Sequence, residues 1–432
     1  MSTEPLTNVI NRLDHMRRYW EEANSDYFKP DRFLIALQGC ITTSRTVTFI
    51  LQSNKASFPD FENWYSTYQE KWSQDPIMAW ARDARNAIEK RGDLETLSQV
   101  KSRIVASYMG GPETEWLPQD LFSSPIAMLL KVPSKFRNIP QVREHGTLVI
   151  ERRWIDKQLP ETEVLDALTH VYLEFVDLLT DLHQRLGVEL PRMLTARVPP
   201  SMRPLIMDRA IYISIKDGSE AGFRFHYSEQ QVDTRALRKR YGRDANWEKL
   251  SSVGNFKELC DVVFAHARVM MLRDGYHHSF AIMVSKLRLW RVIGINHPDR
   301  ASRYVLMRDL AELAKVVDAD GIIVIGEAWT AKVKDVPPSG YAVDAQNRGE
   351  ALTMHAAEAA GQTYAYDAAI IRKKKKKHKV KALGPTELHQ DRFQFIMAPF
   401  QIAWGCLDLE KLKKAEEEVD LIMADLPEEA PE

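Results

Sequence analysis

The chain has 432 residues, of which 44% are apolar and 28% charged, and its formal net charge is −1. This length exceeds what one hydrophobic core usually organises, so two or three domains are expected, and the composition excludes a wholly disordered chain. The balanced charge excludes a strong field over the whole molecule that would attract nucleic acid, but it leaves local patches open.

The cysteines and the apolar pattern indicate a cytoplasmic protein. Cys40, Cys260 and Cys406 lie far apart and form no C-x-x-C pair. We therefore expect buried free thiols rather than a disulfide framework or a zinc site. We read no stretch as approaching the roughly 20 apolar residues of a membrane span, and residues 1–6 are polar, so neither a membrane anchor nor export is expected.

The first half of the chain predicts a helical bundle, because its apolar residues recur at three and four. Proline at Asp75-Pro76 suits the first turn of a new helix, and Gly187 suits a C-terminal cap. We expect helices over residues 8–20, 33–51, from 64 to 91 with an interruption at Asp75-Pro76, and from 160 to 186, with a short strand over 147–150. The last helix has an apolar stripe wide enough to need several helical neighbours, which predicts an antiparallel bundle.

Beyond Pro199-Pro200 the apolar period changes from about 3.6 to 2, which indicates a second architecture. Residues 211–215 and 223–227 alternate across Asp217-Gly218 and predict a β-hairpin. The run 321–325 is apolar on both faces and predicts a central strand. We expect further strands at 279–284, 289–295, 350–358, 368–371 and 392–398, and helices at 256–273 and 301–317. These elements predict a mixed α/β or α+β sheet domain.

Three segments of the helical half, residues 45–52, 61–65 and 85–90, are followed much later by a helix that ends Asp181-Leu-His183. Together they resemble the helical core of HEPN proteins, a family of nucleic-acid-linked bacterial and archaeal proteins. The resemblance covers roughly residues 5–190. Its specificity rests mostly on Arg85-Asn86.

The resemblance implies metal-independent RNA cleavage by a composite site, usually at a dimer interface. Such a site uses an arginine, the polar residue after it, and a histidine four to six positions after the arginine. Arg85 and Asn86 match the first two roles, since arginine offers a phosphate a planar fork of donors. The histidine is missing, and Lys90 stands in that interval. A lysine ammonium holds its proton at neutral pH and cannot take another, but it can bind phosphate.

Three interpretations of Arg85, Asn86 and Lys90 therefore stay open. They are the polar end of a bundle helix with its dimer contact, a phosphate-binding site, or the catalytic residues of an active nuclease. His183 could replace the missing histidine, but a histidine in the last turn of a helix is more often a partner of the helix dipole.

The second half has three groups of polar residues, Tyr276-His-His278, Gly326-Glu-Ala-Trp329 and Asn347-Arg-Gly-Glu350. If they converge, His278, Glu327 and Glu350 could form a metal-binding or acid/base trio. In the alternative, Glu327 pairs with Arg348 and Trp329 packs over the sheet. The chain has no H-E-x-x-H, Walker A, G-x-S-x-G or G-x-G-x-x-G motif. The common hydrolase and nucleotide-enzyme classes are thereby disfavoured, and we expect no cofactor and no bound metal.

The run from Arg372 to Lys381 carries eight basic residues in ten. One interpretation is a solvated flexible loop between two strands. The other is salt-dependent, sequence-independent contact with phosphates, through Lys373, Lys374, Lys375, Lys376, Lys377 and Lys379. No aromatic residue interrupts the run, so base stacking is not expected there. The segment 410–432, with nine acidic residues and three lysines, could instead pair with the run and mask it.

The sequence thus predicts a multidomain α and α+β protein. Residues 1–195 form an HEPN-like bundle with a short β insertion, 196–250 a β-hairpin linker region, 251–408 an α/β domain, and 409–432 an acidic tail. The leading hypothesis is a dimeric, RNA-associated protein, with RNA binding or a toxin-like ribonuclease activity in bacterial stress or phage defence. The alternatives are a non-enzymatic dimeric scaffold with a ligand- or partner-binding α/β domain, and a hydrolase or metal enzyme built around Glu327.

Overall fold

The computed structural model describes residues 4–92, 94, 96–109, 122–196, 202, 209–220, 234–242, 249–250, 252–296, 299–335, 341–374, 376–390 and 392–424. The chain forms two compact units. Unit 1 comprises Met1–Ile104 and Glu113–Glu220, and unit 2 comprises Val105–Pro112 and Ala221–Glu432. The expected linker region, 196–250, contains the point where the first unit ends and the second resumes.

Unit 1 combines long helices with a small sheet. Its elements are α1 (Glu4–Ser25), α2 (Pro30–Ser53), α3 (Phe61–Ser73), α4 (Pro76–Arg91), β1 (Thr96–Val105), α5 (Pro125–Leu130), α6 (Ser134–Arg137), α7 (Pro140–His145), β2 (Thr147–Asp156), β3 (Leu159–Glu163), α8 (Val164–Leu186), α9 (Arg192–Thr195) and β4 (Ala210–Ser214). The predicted break at Asp75-Pro76 is confirmed, because Asp75 caps α4 by accepting hydrogen bonds from the backbone N–H groups of Ile77 and Met78.

The core of unit 1 is built around α8, whose predicted apolar stripe is buried along its whole length. α8 packs against α1, α2 and α4. Trp20 of α1 donates its indole N–H to the carbonyl oxygen of Leu165 at 2.9 Å, and Phe33 of α2 stacks on Trp154 of β2 with ring centroids 4.6 Å apart. These aromatic side chains bury a large apolar area, and the indole N–H of Trp20 has a hydrogen-bond partner. Both effects stabilise the packing of the long helices and the sheet. α8 begins at Val164, later than expected, because residues 159–163 form β3.

The small sheet has the order β1-β2-β3, with β4 also paired to β2. The prediction that residues 211–215 open the second architecture is wrong, since β4 pairs antiparallel with β2, from Ala210–Glu151 to Ser214–Thr147. Strand periodicity does not specify which distant strand becomes the partner. The predicted second hairpin strand, 223–227, lies outside the described residues.

By length and composition alone, α2 is long and apolar enough to cross a membrane. The sequence-based expectation that no stretch approaches this length and apolarity is therefore wrong for α2. Half of its most apolar window is buried inside the protein, where α2 contacts α1, α4 and α8. This burial is what a core helix of a bundle requires.

Unit 2 is an α+β sheet domain. Its elements are α10 (Thr234–Tyr241), α11 (Phe256–Asp274), β5 (Phe280–Ser285), β6 (Arg288–Gly294), α12 (Arg300–Val316), β7 (Gly321–Thr330), β8 (Gly349–Glu358), β9 (Thr363–Lys373), β10 (Lys376–Leu383), β11 (Glu387–His389), α13 (Ala398–Trp404) and α14 (Leu409–Ala424). The strand order is β10-β9-β8-β7-β5-β6, with β11 also paired to β9, and the pairings are antiparallel.

β7 is a central strand, as predicted, and lies between β5 and β8. One face of the sheet packs on α11 through residues that alternate along each strand, among them Ile323, Leu352 and Ala368. By the same alternation, Glu327, Glu350 and Arg372 point to the α11 face, beyond the C-terminal end of that helix. This places them where a site could form.

Two predictions in unit 2 need correction. Residues 392–398 do not form a strand, since a single 3₁₀ turn spans Phe395–Met397 and α13 follows. Pro399 has no amide N–H for a sheet but suits the first turn of a helix. Residues 409–424 of the expected acidic tail form α14. Residues 425–432 lie outside the described part.

Candidate nucleic-acid interface

The structure places Arg85, Asn86 and Lys90 on α4. The Arg85 guanidinium is held within its own helix, at 3.0 Å from Asn86 Oδ1 and at 2.6 Å from a carboxylate oxygen of Glu89. Lys90 is exposed in the last turn. His183 does not join them, because it is buried and its Nδ1 donates to the Leu179 carbonyl oxygen at 2.7 Å. A carbonyl only accepts, so this nitrogen carries the proton.

The expected trio of His278, Glu327 and Glu350 is not assembled as a metal site. Arg372 lies between the two carboxylates, with Nη2 at 2.9 Å from Glu327 and Nε also bound to Glu350. Glu327 is contacted by the neighbouring residue His277 instead of His278, because the backbone N–H of His277 donates to its carboxylate at 2.7 Å. His278 packs its ring against Tyr276.

The alternative pairing of Glu327 with Arg348 is also wrong. Arg348 stacks on Trp329, with 4.4 Å from the guanidinium carbon to the ring centroid. Trp329 is 45% exposed. Arg372 is the stronger partner for the carboxylates because its planar fork reaches both at once, and its Nη1 also donates to the Gly275 carbonyl oxygen at 2.9 Å.

The basic run forms a β-hairpin, not the loop of the first interpretation. Arg372 and Lys373 end β9, and Lys376 pairs back with Lys373 to begin β10. Lys373, Lys374 and Lys379 are exposed on this hairpin. Lys375, and the side chains of Lys376 and Lys377, lie outside the described part.

A second basic segment, which sequence reasoning had missed, joins the hairpin. α10 contains the sequence Arg235-Ala-Leu-Arg-Lys-Arg240, with four basic residues in six. Arg240 binds Asp274 at the end of α11, with 2.9 Å between Nη2 and Oδ1, and Tyr241 donates its hydroxyl to the same carboxylate at 2.6 Å. The density of charge in this segment was the signal that could have revealed it.

Gly275 joins the hairpin to the end of α11. Its φ of +83° forms the left-handed cap of the helix, and a Cβ atom there would lie 2.6 Å from the carbonyl oxygen of His378. Only glycine allows β10 to approach this closely. Two basic segments that are far apart in sequence thereby both lie next to residues 274 and 275.

We call the resulting patch the basic surface. It consists of exposed cationic side chains on α10, the last turn of α11 and the hairpin, namely Arg235, Lys239, Arg240, Arg273, Lys373, Lys374 and Lys379. Burial raises the pKa of Asp274, but hydrogen bonds from Tyr241 and Arg240 outweigh this and leave it below its ordinary value. The carboxylate beneath α10 is therefore ionised at neutral pH, as the contact requires.

The acidic side chains that the structure describes on α14 are not paired with the described lysines of the hairpin. Glu410, Glu416, Glu417 and Glu418 form no ion pair with Lys373, Lys374 or Lys379 in that part of the chain. α13, the helix before α14, ends at Trp404, whose indole N–H donates to the Ala319 carbonyl oxygen just before β7.

Comparison with known proteins assigns the family. The family model described as bacteriophage lambda protein ea47 matches residues 2–419. The chain belongs to the ea47 family. A relative, protein ea47 of Escherichia phage lambda, is 29% identical over 341 residues, which are 77% of this chain and 80% of the relative. No solved structure matches the chain.

The ea47 match extends over both units, so it includes α10, the end of α11 and the lysine hairpin. The basic surface of this ea47-family chain has two exposed aromatic residues nearby. Tyr276 is 50% exposed and follows Gly275 directly, and Trp329 lies two residues after Glu327 on the same face of β7. The surface thus combines exposed cationic side chains with exposed aromatic rings.

Proposed function

We propose that this protein binds single-stranded RNA on the basic surface of unit 2. The observation that carries the proposal is the convergence of α10 and the lysine hairpin on Asp274 and Gly275. Neither segment by itself is more than a solvated basic stretch. Together with Arg273 at the end of α11, they present seven described cationic side chains.

The chemistry of the surface favours a flexible single strand. Lysine and arginine bind phosphates and release counterions, without preference for sequence. Tyr276 and Trp329 offer ring faces that a base can reach only when it is unstacked from a duplex. Arg348, already stacked on Trp329, adds a guanidinium plane beside that ring.

RNA cleavage by unit 1 is a further part of this proposal that rests on the HEPN resemblance. Arg85 lies beside Asn86 as the resemblance requires, while Glu89 binds the same guanidinium. A phosphate would have to compete with that carboxylate. We expect any metal-free cleavage of a mixed RNA to be abolished by Arg85→Ala and unaffected by Arg82→Ala, an exposed arginine one turn earlier on α4.

The decisive experiment measures binding of a fluorescently labelled 12-nucleotide RNA by anisotropy while the salt concentration is varied. Lys373→Ala with Lys374→Ala should weaken binding at least tenfold at low salt. It should also reduce the slope of log K against log salt by about 0.7 for each phosphate that the variant no longer neutralises.

A matched control is Lys286→Ala with Lys315→Ala. Both lysines are exposed in unit 2 near Asp320, which precedes β7, and so lie about 30 Å from the Trp329 end of that strand. This control should bind as the wild type does. Absence of RNA binding even at low salt would reject the proposal in favour of the dimeric scaffold, whose subunit number light scattering would measure.

A further inference from the structure

We propose that unit 1 contains a zinc site formed by Asp75, His170 and Glu174. The proposal is independent of RNA binding, which involves the other unit. It goes against the sequence-based expectation of no metal, because Asp75 is 95 residues from His170 along the chain and no motif connects the three side chains. Folding brings them together.

Two elements position the ligands. Asp75 precedes α4, and its Oδ1 is fixed by accepting hydrogen bonds from the backbone N–H groups of Ile77 and Met78. His170 and Glu174 are four residues apart on α8, the spacing that places two side chains on one face of a helix. The site therefore rests on rigid backbone at both sides.

The potential ligand atoms are already close. Asp75 Oδ2 lies 2.6 Å from His170 Nε2, and one ligand atom from each of the three residues lies within 4.8 Å of the others. Zinc takes imidazole nitrogen and carboxylate oxygen at about 2.0–2.2 Å, so two ligand atoms of a tetrahedral ion lie about 3.4 Å apart. The Asp75 and His170 atoms would therefore need to separate by less than about 1 Å, and the Glu174 carboxylate would complete the set from within 4.8 Å. Rotation of these side chains about their own bonds would supply adjustments of this size.

The outer contacts resemble those that orient metal ligands. The indole N–H of Trp72 donates to Glu174 at 2.9 Å, just as the helix N–H groups hold Asp75. The Lys71 ammonium binds Glu174 at 2.6 Å and now supplies the positive charge. Its side chain is 53% exposed and can swing into solvent when a divalent ion takes its place.

The site is open on one side. Asp75 and His170 line a cleft of about 570 Å³, together with Lys71, Gln74, Pro76, Ile77, Leu159 and Thr162. His170 is 37% exposed towards solvent. Three protein ligands beside a cleft leave a fourth position for water, which is the arrangement of an open zinc site rather than a closed structural one.

The donor set selects the metal. An imidazole with two carboxylates suits zinc better than calcium or magnesium, which prefer six or more oxygen ligands. A second cluster, Asp367, Glu387 and His389 of unit 2, has comparable spacing. It lies on β9 and β11, and none of its three residues lines the cleft beside Asp75 and His170, so it serves as the control.

The test is zinc binding by the untagged full-length chain, measured by calorimetry and by metal analysis after dialysis. We expect one zinc per chain with micromolar or tighter affinity. His170→Ala and Glu174→Gln should each weaken it at least tenfold, while His389→Ala should leave it unchanged. Cobalt substitution should give the visible spectrum of a tetrahedral nitrogen and oxygen site without a thiolate charge-transfer band.

The zinc-binding experiment still tests the proposal if one of the variants fails to fold. Glu174→Gln keeps the size of the side chain and its contact with Trp72, and circular dichroism identifies any variant to be set aside. Absence of zinc binding to the wild type at 100-fold molar excess, or loss of binding only in His389→Ala, would reject the proposal.

Discussion

Arg240 and Asp274 form the contact that creates the basic surface, with 2.9 Å between Nη2 and Oδ1. Arg240 lies at the end of a helix of eight residues and Asp274 ends one of nineteen. Gly275 follows Asp274 and abuts the lysine hairpin, so the contacts of Arg240 and Tyr241 with Asp274 connect the two basic segments.

The close approach at Gly275 predicts a measurable cost for any side chain there. Gly275→Ala should destabilise unit 2 by about 2–3 kcal/mol, since alanine would face both a left-handed backbone and the His378 carbonyl oxygen at 2.6 Å. Urea unfolding of the full chain would measure this. Gly405→Ala is the matched control, because Gly405 has a φ of +71° but no atom within 4 Å of an added Cβ. It should cost only about 1 kcal/mol, and equal costs in the two variants would contradict the packing argument.

The contacts of Arg372 predict that it contributes to stability mainly by neutralising the two carboxylates around it. Arg372→Ala should lower the free energy of unfolding by about 1–2 kcal/mol, since Glu327 and Glu350 lose their shared cation while remaining partly exposed. Glu327→Gln with Glu350→Gln in the Arg372→Ala background should recover part of this loss. A double-mutant cycle would measure the coupling, and strict additivity would show that the three side chains act independently.

The aromatic residues and the lysines should affect RNA binding differently. Tyr276→Ala and Trp329→Ala should each weaken binding by about 1–3 kcal/mol, through loss of base stacking, and leave the salt slope nearly unchanged. Lysine variants should change the slope as well. Anisotropy titrations at several salt concentrations separate the two effects. Tyr19→Ala, which removes an exposed tyrosine of unit 1, is the control. Unchanged affinity in both aromatic variants would restrict the interface to phosphate contacts.

Glu163 predicts a pH dependence of stability. Burial raises its pKa to about 7, although the Arg209 guanidinium, 3.1 Å away, favours the charged form. Between its ordinary value of 4.5 and about 7, the folded state therefore holds a proton that the unfolded state has released. Stability is then greatest at low pH and falls as the pH rises through this window.

Glu163→Gln replaces the carboxyl group with an amide that does not titrate, so the free energy of unfolding of this variant provides the comparison. The stability of the wild type relative to this variant should fall by roughly 2–3 kcal/mol between pH 5 and pH 8. Urea unfolding at four pH values would measure it. A difference that stays constant over the range would mean that Glu163 is ionised throughout.

The sequence by itself determined most of the helices and strands, because their signals are local. The apolar stripe after residue 163, the proline at position 76 and the doubly apolar run at 321–325 each led to an element that the structure contains. Apolar periodicity and capping act within a few residues, so one segment contains the information.

Only the tertiary structure decided which distant residues meet. β4 pairs with a strand of unit 1. Arg372 forms ion pairs with Glu327 and Glu350, which the sequence had placed in a possible metal-binding or acid/base trio. α10 contacts Asp274, next to the residue that the lysine hairpin approaches. Asp75 likewise meets His170 across 95 residues. These contacts depend on strand pairing and helix packing over long separations in sequence, for which neither periodicity nor residue spacing carries a signal.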